Sequence, residues 1–170
     1  MAAESPRTPQ TPQHTQTPVR DESTHRSIEL ARDGELHFVA TNRRGGTLAI
    51  GSGEDDDFTP VELLLAAVAA CGAIDLEAVI TKRAPFSAFA ARGEGHKIRD
   101  EQGNRMVDLA VTFDVAFPEG EDGDRARAAL ERTVRQVQDR LCTVGRTVSV
   151  GDPVDYRTGE LGSGPGPQAG

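Results

Sequence analysis

Hydrophobic and polar residues alternate in several short stretches of the chain, which is the pattern of β-strands with one buried face. Residues 27–30 and 36–40 alternate on either side of the turn sequence Arg32-Asp33-Gly34-Glu35, which predicts a hairpin. Further strands are predicted at 47–50, 86–95, 96–99 and 106–117. In the last of these, six apolar side chains share one face: Val107, Leu109, Val111, Phe113, Val115 and Phe117.

A long helix is predicted to begin after Thr59, where the alternation gives way to a nearly continuous apolar run. Thr59 can cap the helix, Pro60 suits its first position, and Glu62 completes a capping box. The run extends to about Arg83 and its middle is apolar on all sides. We therefore expect this helix to be central and buried.

A second helix is predicted from about Asp124 to Leu141, because apolar residues recur there at helical spacing while charged residues cover the other face. Its apolar stripe consists of Leu130, Val134, Val137 and Leu141. Short strands are predicted to follow at 147–150 and 154–156. Strand hairpins flanking long helices favour the α+β class over a doubly wound parallel sheet.

The length and composition indicate one ordered domain between two tails. The chain has 170 residues, which is the length of one domain. Residues 1–25 are rich in Pro, Thr and Gln, and residues 159–170 in Gly, Pro and Ser, so we expect two disordered tails around an ordered domain at 26–158. With no Trp and few aromatic residues, the core is expected to consist of Leu, Val, Ile and Ala.

Charge and hydropathy exclude some partners and compartments. The net charge of −8 disfavours binding to nucleic acid or to an anionic membrane surface. The longest uncharged apolar run, residues 63–74, is too short for a bilayer, and the N-terminus has no apolar segment typical of a secretory signal. We expect a soluble cytoplasmic protein without a membrane anchor.

Two cysteines, Cys71 and Cys142, are the residues with the most distinctive chemistry. In a reducing compartment they are expected to be free, catalytic or metal-bound rather than a permanent cross-link. Neither has a Cys or His at ligand spacing, and the histidines are scattered, so no metal site is predicted. Asp75 and Glu77 are expected on a face away from Cys71 or in ion pairs, because a facing carboxylate would raise the pKa of the thiol.

The segments around the cysteines carry a resemblance to a known family. The first reads Thr59-Pro60-Val61-Glu62-Leu63-Leu64-Leu65-Ala66-Ala67, followed by Ala69-Ala70-Cys71, and the second reads Cys142-Thr143-Val144-Gly145-Arg146-Thr147. Together they resemble the OsmC-like family, which includes osmotically induced protein C and the organic hydroperoxide resistance proteins. The resemblance covers roughly residues 26–157 and is strongest to a less characterised branch that reads Pro-x-Glu-Leu-Leu-Leu.

The resemblance implies an intertwined homodimer in which antiparallel sheets from both chains wrap two long central helices. It implies a thiol peroxidase for organic hydroperoxides, with Cys71 as the attacking thiol and Cys142 as the resolving thiol. The reductant implied is a dithiol, such as a protein-bound lipoyl group, and no bound cofactor is implied. Peroxidatic members support the thiolate with an Arg from the N-terminal strands, here Arg43 or Arg44, with Arg44 preferred.

In the hydroperoxide resistance branch a Glu directly after Pro holds that Arg, but this chain has Val61 there and Glu62 one place later. Glu62 is thus a cap first and a candidate site residue second. An alternative of a different class stays open, namely a non-enzymatic dimer that binds a small ligand, or a purely structural dimer, with both cysteines as core residues. Unusually slow labelling of both thiols in the folded protein would favour this alternative.

Overall fold

The computed structural model describes residues 20–159, which form two compact units divided between Asp57 and Phe58. The predicted tails at 1–25 and 159–170 lie mostly outside the described residues. Of the described part, Asp21 to Thr24 form a turn in which the Asp21 carboxylate accepts a hydrogen bond from the Ser23 backbone at 2.9 Å.

The first unit is a three-stranded antiparallel sheet in the order β1 (Ile28–Gly34), β2 (His37–Asn42), β3 (Thr47–Ile50). The predicted hairpin is confirmed, although its first strand extends further than expected and contains a bulge between Arg32 and Gly34. In the turn between β2 and β3, the Asn42 side chain accepts hydrogen bonds from the backbone N–H groups of Arg44 and Gly46. The central strand β2 is the most protected of the three.

The second unit is built on a helix, α1 (Pro60–Ile80), and a long antiparallel hairpin, β4 (Ala88–Asp100) and β5 (Gly103–Ala116). The segments predicted at 86–95 and 96–99 are one strand with a bulge between Glu94 and His96. The predicted apolar face of β5 is confirmed, because its members are buried or half-buried while Asp108, Ala110, Asp114 and Ala116 between them are exposed. Mixed helix and antiparallel sheet confirm the α+β class.

Helix α1 begins as predicted, with the full capping box between Thr59 and Glu62, and ends at Ile80 rather than Arg83. Its burial differs from the prediction. Only Gly72, Leu76 and Ile80 are buried within the chain, and Ile74 is 67% exposed. Among the described residues it is the one helix whose length and composition would allow it to cross a membrane, a test that core helices of soluble proteins also pass.

The second predicted helix is present as α2 (Glu121–Gln136), and its stripe packs on the core. It continues as a π-helical turn (Val137–Leu141) and then, after Cys142, as a third helix, α3 (Thr143–Val150). The strands predicted at 147–150 and 154–156 are therefore wrong: the first segment is helical and the second has no regular secondary structure. Helices α1, α2 and the π turn enclose a core that includes Leu76, Ile80, Phe117, Ala126 and Val137.

Candidate functional site

Cys142 lies at the junction between the π turn and α3, where the chain changes direction. Its backbone N–H still bonds to the Val137 carbonyl at 2.9 Å, while its own carbonyl accepts from the Arg146 N–H at 2.9 Å. Cys142 follows the last residue of the second predicted helix and is also the N-cap of α3. There its sulfur accepts a hydrogen bond from the Gly145 N–H at 3.3 Å.

The second cysteine reaches the same place from α1. The Sγ atoms of Cys71 and Cys142 and a carboxylate oxygen of Asp75 all lie within 4.8 Å of one another. Cys142 is buried, whereas Cys71 and Asp75 are half-buried, and both thiols are free. The Cys142 thiol also points to the Val68 carbonyl, one turn before Cys71, at 4.0 Å. The fold thus brings together two thiols that are 71 positions apart in the sequence.

Asp75 does not lie where it was expected, on a face of α1 away from Cys71. Its carboxylate faces both thiols instead of another side of α1, because positions four residues apart on a helix lie on one face. Within residues 58–159, no Lys or Arg forms an ion pair with Asp75. The helical spacing from Cys71 could have identified this residue from the sequence.

The surroundings of Cys142 work against its ionisation. Burial raises the pKa of this thiol, and the neighbouring Cys71 and Asp75 raise it further, although the Gly145 N–H bond opposes them. Burial is the largest of these effects. The thiol of Cys142 is therefore held mainly in its protonated form at neutral pH.

A cavity of about 410 Å³ opens beside Cys142 within the second unit. Its walls are largely apolar and come from α1, the β4–β5 hairpin, the π turn and α3; they include Leu65, Val68, Val111, Phe113 and Val148. Cys142 lines this cavity, whereas Cys71 is not among its lining residues. The volume falls within the usual range for small-molecule sites.

Of the two other candidate site residues, Glu62 lies at the start of α1 and Arg44 belongs to the first unit. The Glu62 carboxylate accepts hydrogen bonds from the Thr59 N–H and hydroxyl, each at 2.8 Å, and these bonds lower its pKa. It lies about 13 Å along the helix axis from Cys71 at the usual rise per residue. Arg43 and Arg44 are exposed in the β2–β3 turn of the first unit.

A second group of possible metal ligands lies in the first unit, where His37, Asp55 and Asp57 approach one another. The His37 ring and the Asp55 carboxylate are already engaged in hydrogen bonds. The His37 Nδ1 is 2.8 Å from the Glu35 carbonyl oxygen, its Nε2 bonds to the Asp55 carboxylate, and that carboxylate also accepts from the Asp57 N–H at 2.8 Å. This group is best described as a side-chain clasp between β2 and the loop that follows β3.

The comparisons with known proteins agree with this architecture. The family model described as OsmC-like protein matches residues 53–157, more than half of the chain. An uncharacterized protein of Mycobacterium tuberculosis is 26% identical over 136 residues, covering 79% of this chain and 96% of that protein. An OsmC-like protein of unknown function from Vibrio cholerae superimposes with a TM-score of 0.63 at 10% identity, covering 73% of this chain and 93% of the other.

An OsmC-like protein from Mycoplasma pneumoniae superimposes with a TM-score of 0.61 at 13% identity, covering 75% of this chain and 89% of the other. At these identities the likeness shows the fold alone. The relatives therefore support the architecture that brings the two cysteine segments together, and the chemistry has to be inferred from the residues of this chain.

Proposed function

Because this chain belongs to the OsmC-like protein family, we propose that it is a thiol-dependent peroxidase for organic hydroperoxides. The observation that carries the proposal is the position of the two sulfur atoms, within 4.8 Å of each other beside a largely apolar cavity. A disulfide needs a sulfur separation of about 2 Å, so the pair can close through modest movement.

In the proposed reaction the Cys71 thiolate attacks the terminal oxygen of the hydroperoxide. The O–O bond breaks, the organic part leaves as the alcohol after taking a proton, and Cys71 becomes a sulfenic acid. Cys142 then attacks the Cys71 sulfur, which releases water and forms the disulfide. A dithiol, such as a protein-bound lipoyl group, reduces the disulfide and is itself oxidised.

The environment of Cys142 supports this division of roles. Burial and its acidic neighbours raise the pKa of the Cys142 thiol, which makes it a poor first nucleophile at neutral pH. A resolving thiol has to react only after Cys71 has become electrophilic. The Gly145 N–H, 3.3 Å from the Cys142 sulfur, can then stabilise the thiolate as it forms.

The attacking group has to be a thiolate, and the family resemblance implies a cation beside it at Cys71. We propose that Arg44 supplies this cation. Glu62, about 13 Å along the helix axis from Cys71, stays a site candidate only as the residue that caps α1. A homodimer would complete the site, and a cytoplasmic location fits two free thiols. These assignments follow the family resemblance described above.

The alternative function is a non-enzymatic small-ligand-binding dimer. The apolar cavity of about 410 Å³ favours it, since such a volume suits an apolar ligand without any thiol chemistry. In that case both cysteines would react with a labelling reagent no faster than free cysteine does.

The test is intact-protein mass spectrometry after one equivalent of cumene hydroperoxide. We expect the wild type to lose two hydrogens as a Cys71–Cys142 disulfide, and Cys142→Ser to gain one oxygen at Cys71. Cys71→Ser should reduce peroxide turnover to the background rate without protein. Arg44→Gln should slow the first oxidation by about tenfold or more, whereas its neighbour Arg43→Gln serves as the matched control.

If neither wild type nor Cys142→Ser changes mass, the peroxidase proposal fails and the ligand-binding alternative takes its place. If Cys71→Ser turns over hydroperoxide at the wild-type rate, the assignment of the attacking thiol is wrong. These measurements are made in the presence of a metal chelator, so that they report on the thiols alone.

A further inference from the structure

We infer that Cys71, Asp75 and Cys142 form a binding site for a thiophilic divalent cation, with Zn²⁺ as the best match. The inference starts from three donor atoms, two sulfurs and one carboxylate oxygen, that lie within 4.8 Å of one another. In a tetrahedral zinc site with ordinary bond lengths, sulfur atoms are about 3.8 Å apart. The three donors therefore need to move by roughly 1 Å or less to share one ion.

The three donors are held by different parts of the fold, yet converge on one point. Cys71 and Asp75 lie four positions apart on one face of α1, a spacing that also places two ligands side by side in helical zinc sites. Cys142 comes from the junction between the π turn and α3. Its sulfur already accepts a backbone N–H bond from Gly145, the kind of surrounding interaction that orients and stabilises metal-bound thiolates.

Charge supplies the second argument. Two thiolates and a carboxylate would bring three negative charges into a pocket where Cys142 is buried and the other two residues are half-buried. Within residues 58–159 no Lys or Arg pairs with Asp75, so this unit offers the cluster no salt-bridge partner there. A divalent cation would reduce the net charge of the three ligands from −3 to −1. Its binding would relieve the repulsion between the ligands, so that they can stay close together.

The donor types select the ion. Thiolates favour Zn²⁺ over Mg²⁺ and Ca²⁺, which prefer six or more oxygen ligands. The carboxylate, a harder donor, favours Zn²⁺ over Cu⁺. Three protein ligands leave the fourth position of a tetrahedral ion open, as in catalytic rather than structural zinc sites. Because Cys142 also lines the cavity, that position could accept water or a ligand from it.

Metal binding and disulfide formation exclude each other, since the disulfide consumes two of the three ligands. Metal binding displaces the two thiol protons, so oxidation of the metal-bound thiolates to the disulfide removes two electrons only, and the ion leaves unchanged as Zn²⁺. The site would thus hold a metal only in the reduced protein. This inference does not rest on the proposed peroxidase activity.

The test is a titration of the reduced, metal-free full chain with Co²⁺ in the absence of oxygen. We expect one Co²⁺ to bind per chain, with thiolate-to-cobalt charge-transfer absorption in the near ultraviolet and displacement by Zn²⁺. Oxidation of the cobalt form with diamide, which accepts two electrons from the thiolates and two protons from water, should abolish the absorption. Each of Cys71→Ser and Cys142→Ser should remove about half of its intensity and weaken binding.

Asp75→Asn keeps the shape of the side chain and should weaken Co²⁺ and Zn²⁺ binding on the order of 100-fold while preserving the charge-transfer bands at saturation. Asp75→Ser is a second variant in case the first folds poorly, and Glu77→Gln, an exposed position on the same helix, is the matched control that should bind like wild type. The inference is overturned if wild type shows no saturable charge-transfer absorption. It is also overturned if a folded Asp75 variant binds as tightly as wild type.

The experiments distinguish failure of the metal site from failure of the peroxidase proposal. A protein that turns over hydroperoxide in chelator but binds no Co²⁺ retains the peroxidase proposal and loses the metal site. A protein that binds Co²⁺ through both cysteines but leaves cumene hydroperoxide intact retains the metal site and loses the peroxidase.

Discussion

His37 shows how a single side chain can connect two segments of the first unit. Its Nδ1 faces the Glu35 carbonyl at 2.8 Å and its Nε2 faces the Asp55 carboxylate. Both partners are acceptors, so both ring nitrogens are satisfied as donors only in the imidazolium form. The hydrogen bond with Asp55, followed by the one with Glu35, raises the pKa of His37, and the same contact with His37 lowers the pKa of Asp55.

The prediction at the residue scale is that the contact between His37 and Asp55 depends on pH. The pKa of His37 is raised in the folded protein. The stabilisation from the His37–Asp55 contact is therefore fully present below pH 6.5, the ordinary pKa of histidine, and is lost as pH rises through the folded pKa. On the acid side it weakens as pH falls through the lowered pKa of Asp55. An NMR titration of the imidazole should give a higher pKa in wild type than in Asp55→Asn, with a difference that shrinks in high salt.

A His37 that titrates at the same pH in wild type and in Asp55→Asn would contradict the clasp.

At the scale of elements, helix α1 could be predicted because neighbouring residues in the sequence specify where it begins. Thr59, Pro60 and Glu62 occupy the cap, first and third positions, and the structure forms both capping hydrogen bonds. The Thr59 hydroxyl lies 3.3 Å from the Glu62 N–H and 2.8 Å from the Glu62 carboxylate. No long-range contact is needed to specify this element.

Helix α3 could not be predicted in the same way. Thr147, Val148 and Val150 are β-branched and favour a strand by propensity, but α3 packs against α1 and the π turn, and tertiary contact overrides that preference. The available signal was Gly151, which ends the helix in the left-handed region at φ 74°. Missing α3 also concealed the N-cap position of Cys142, and therefore the Gly145 bond to its sulfur.

The prediction for α1 uses its cap. Thr59→Ala removes the hydroxyl that accepts the Glu62 N–H and should lower the free energy of unfolding by about 1 kcal/mol. Thr59→Ser keeps the hydroxyl and should lie close to wild type. Since the pKa of Glu62 is lowered by its bonds to Thr59, the carboxylate part of the cap is lost as pH falls through that lowered value. Urea denaturation at two pH values measures both effects, and equal stability of Thr59→Ala and wild type would contradict them.

At the scale of the whole molecule, α1 has an apolar face that one chain leaves exposed. Ile74 is 67% exposed, and the alanines Ala66, Ala67, Ala70 and Ala78 are exposed as well. The sheet of the first unit also exposes Ile28, Leu30 and Leu48. A monomer rarely leaves so much contiguous apolar helix in water, so the expectation of a central, buried helix would be met by a second copy of the chain.

The prediction is a homodimer that depends on the exposed face of α1. Ile74→Asp would place an unpaired charge in the interface and should weaken the dimer at least tenfold, because burying a charge without a partner is strongly unfavourable. Val154→Asp is the matched control, since Val154 is 75% exposed but lies outside the helices. Sedimentation equilibrium at about micromolar concentrations compares the three proteins. A monomeric wild type, or an Ile74→Asp variant as dimeric as Val154→Asp, would show that the apolar face of α1 has another partner.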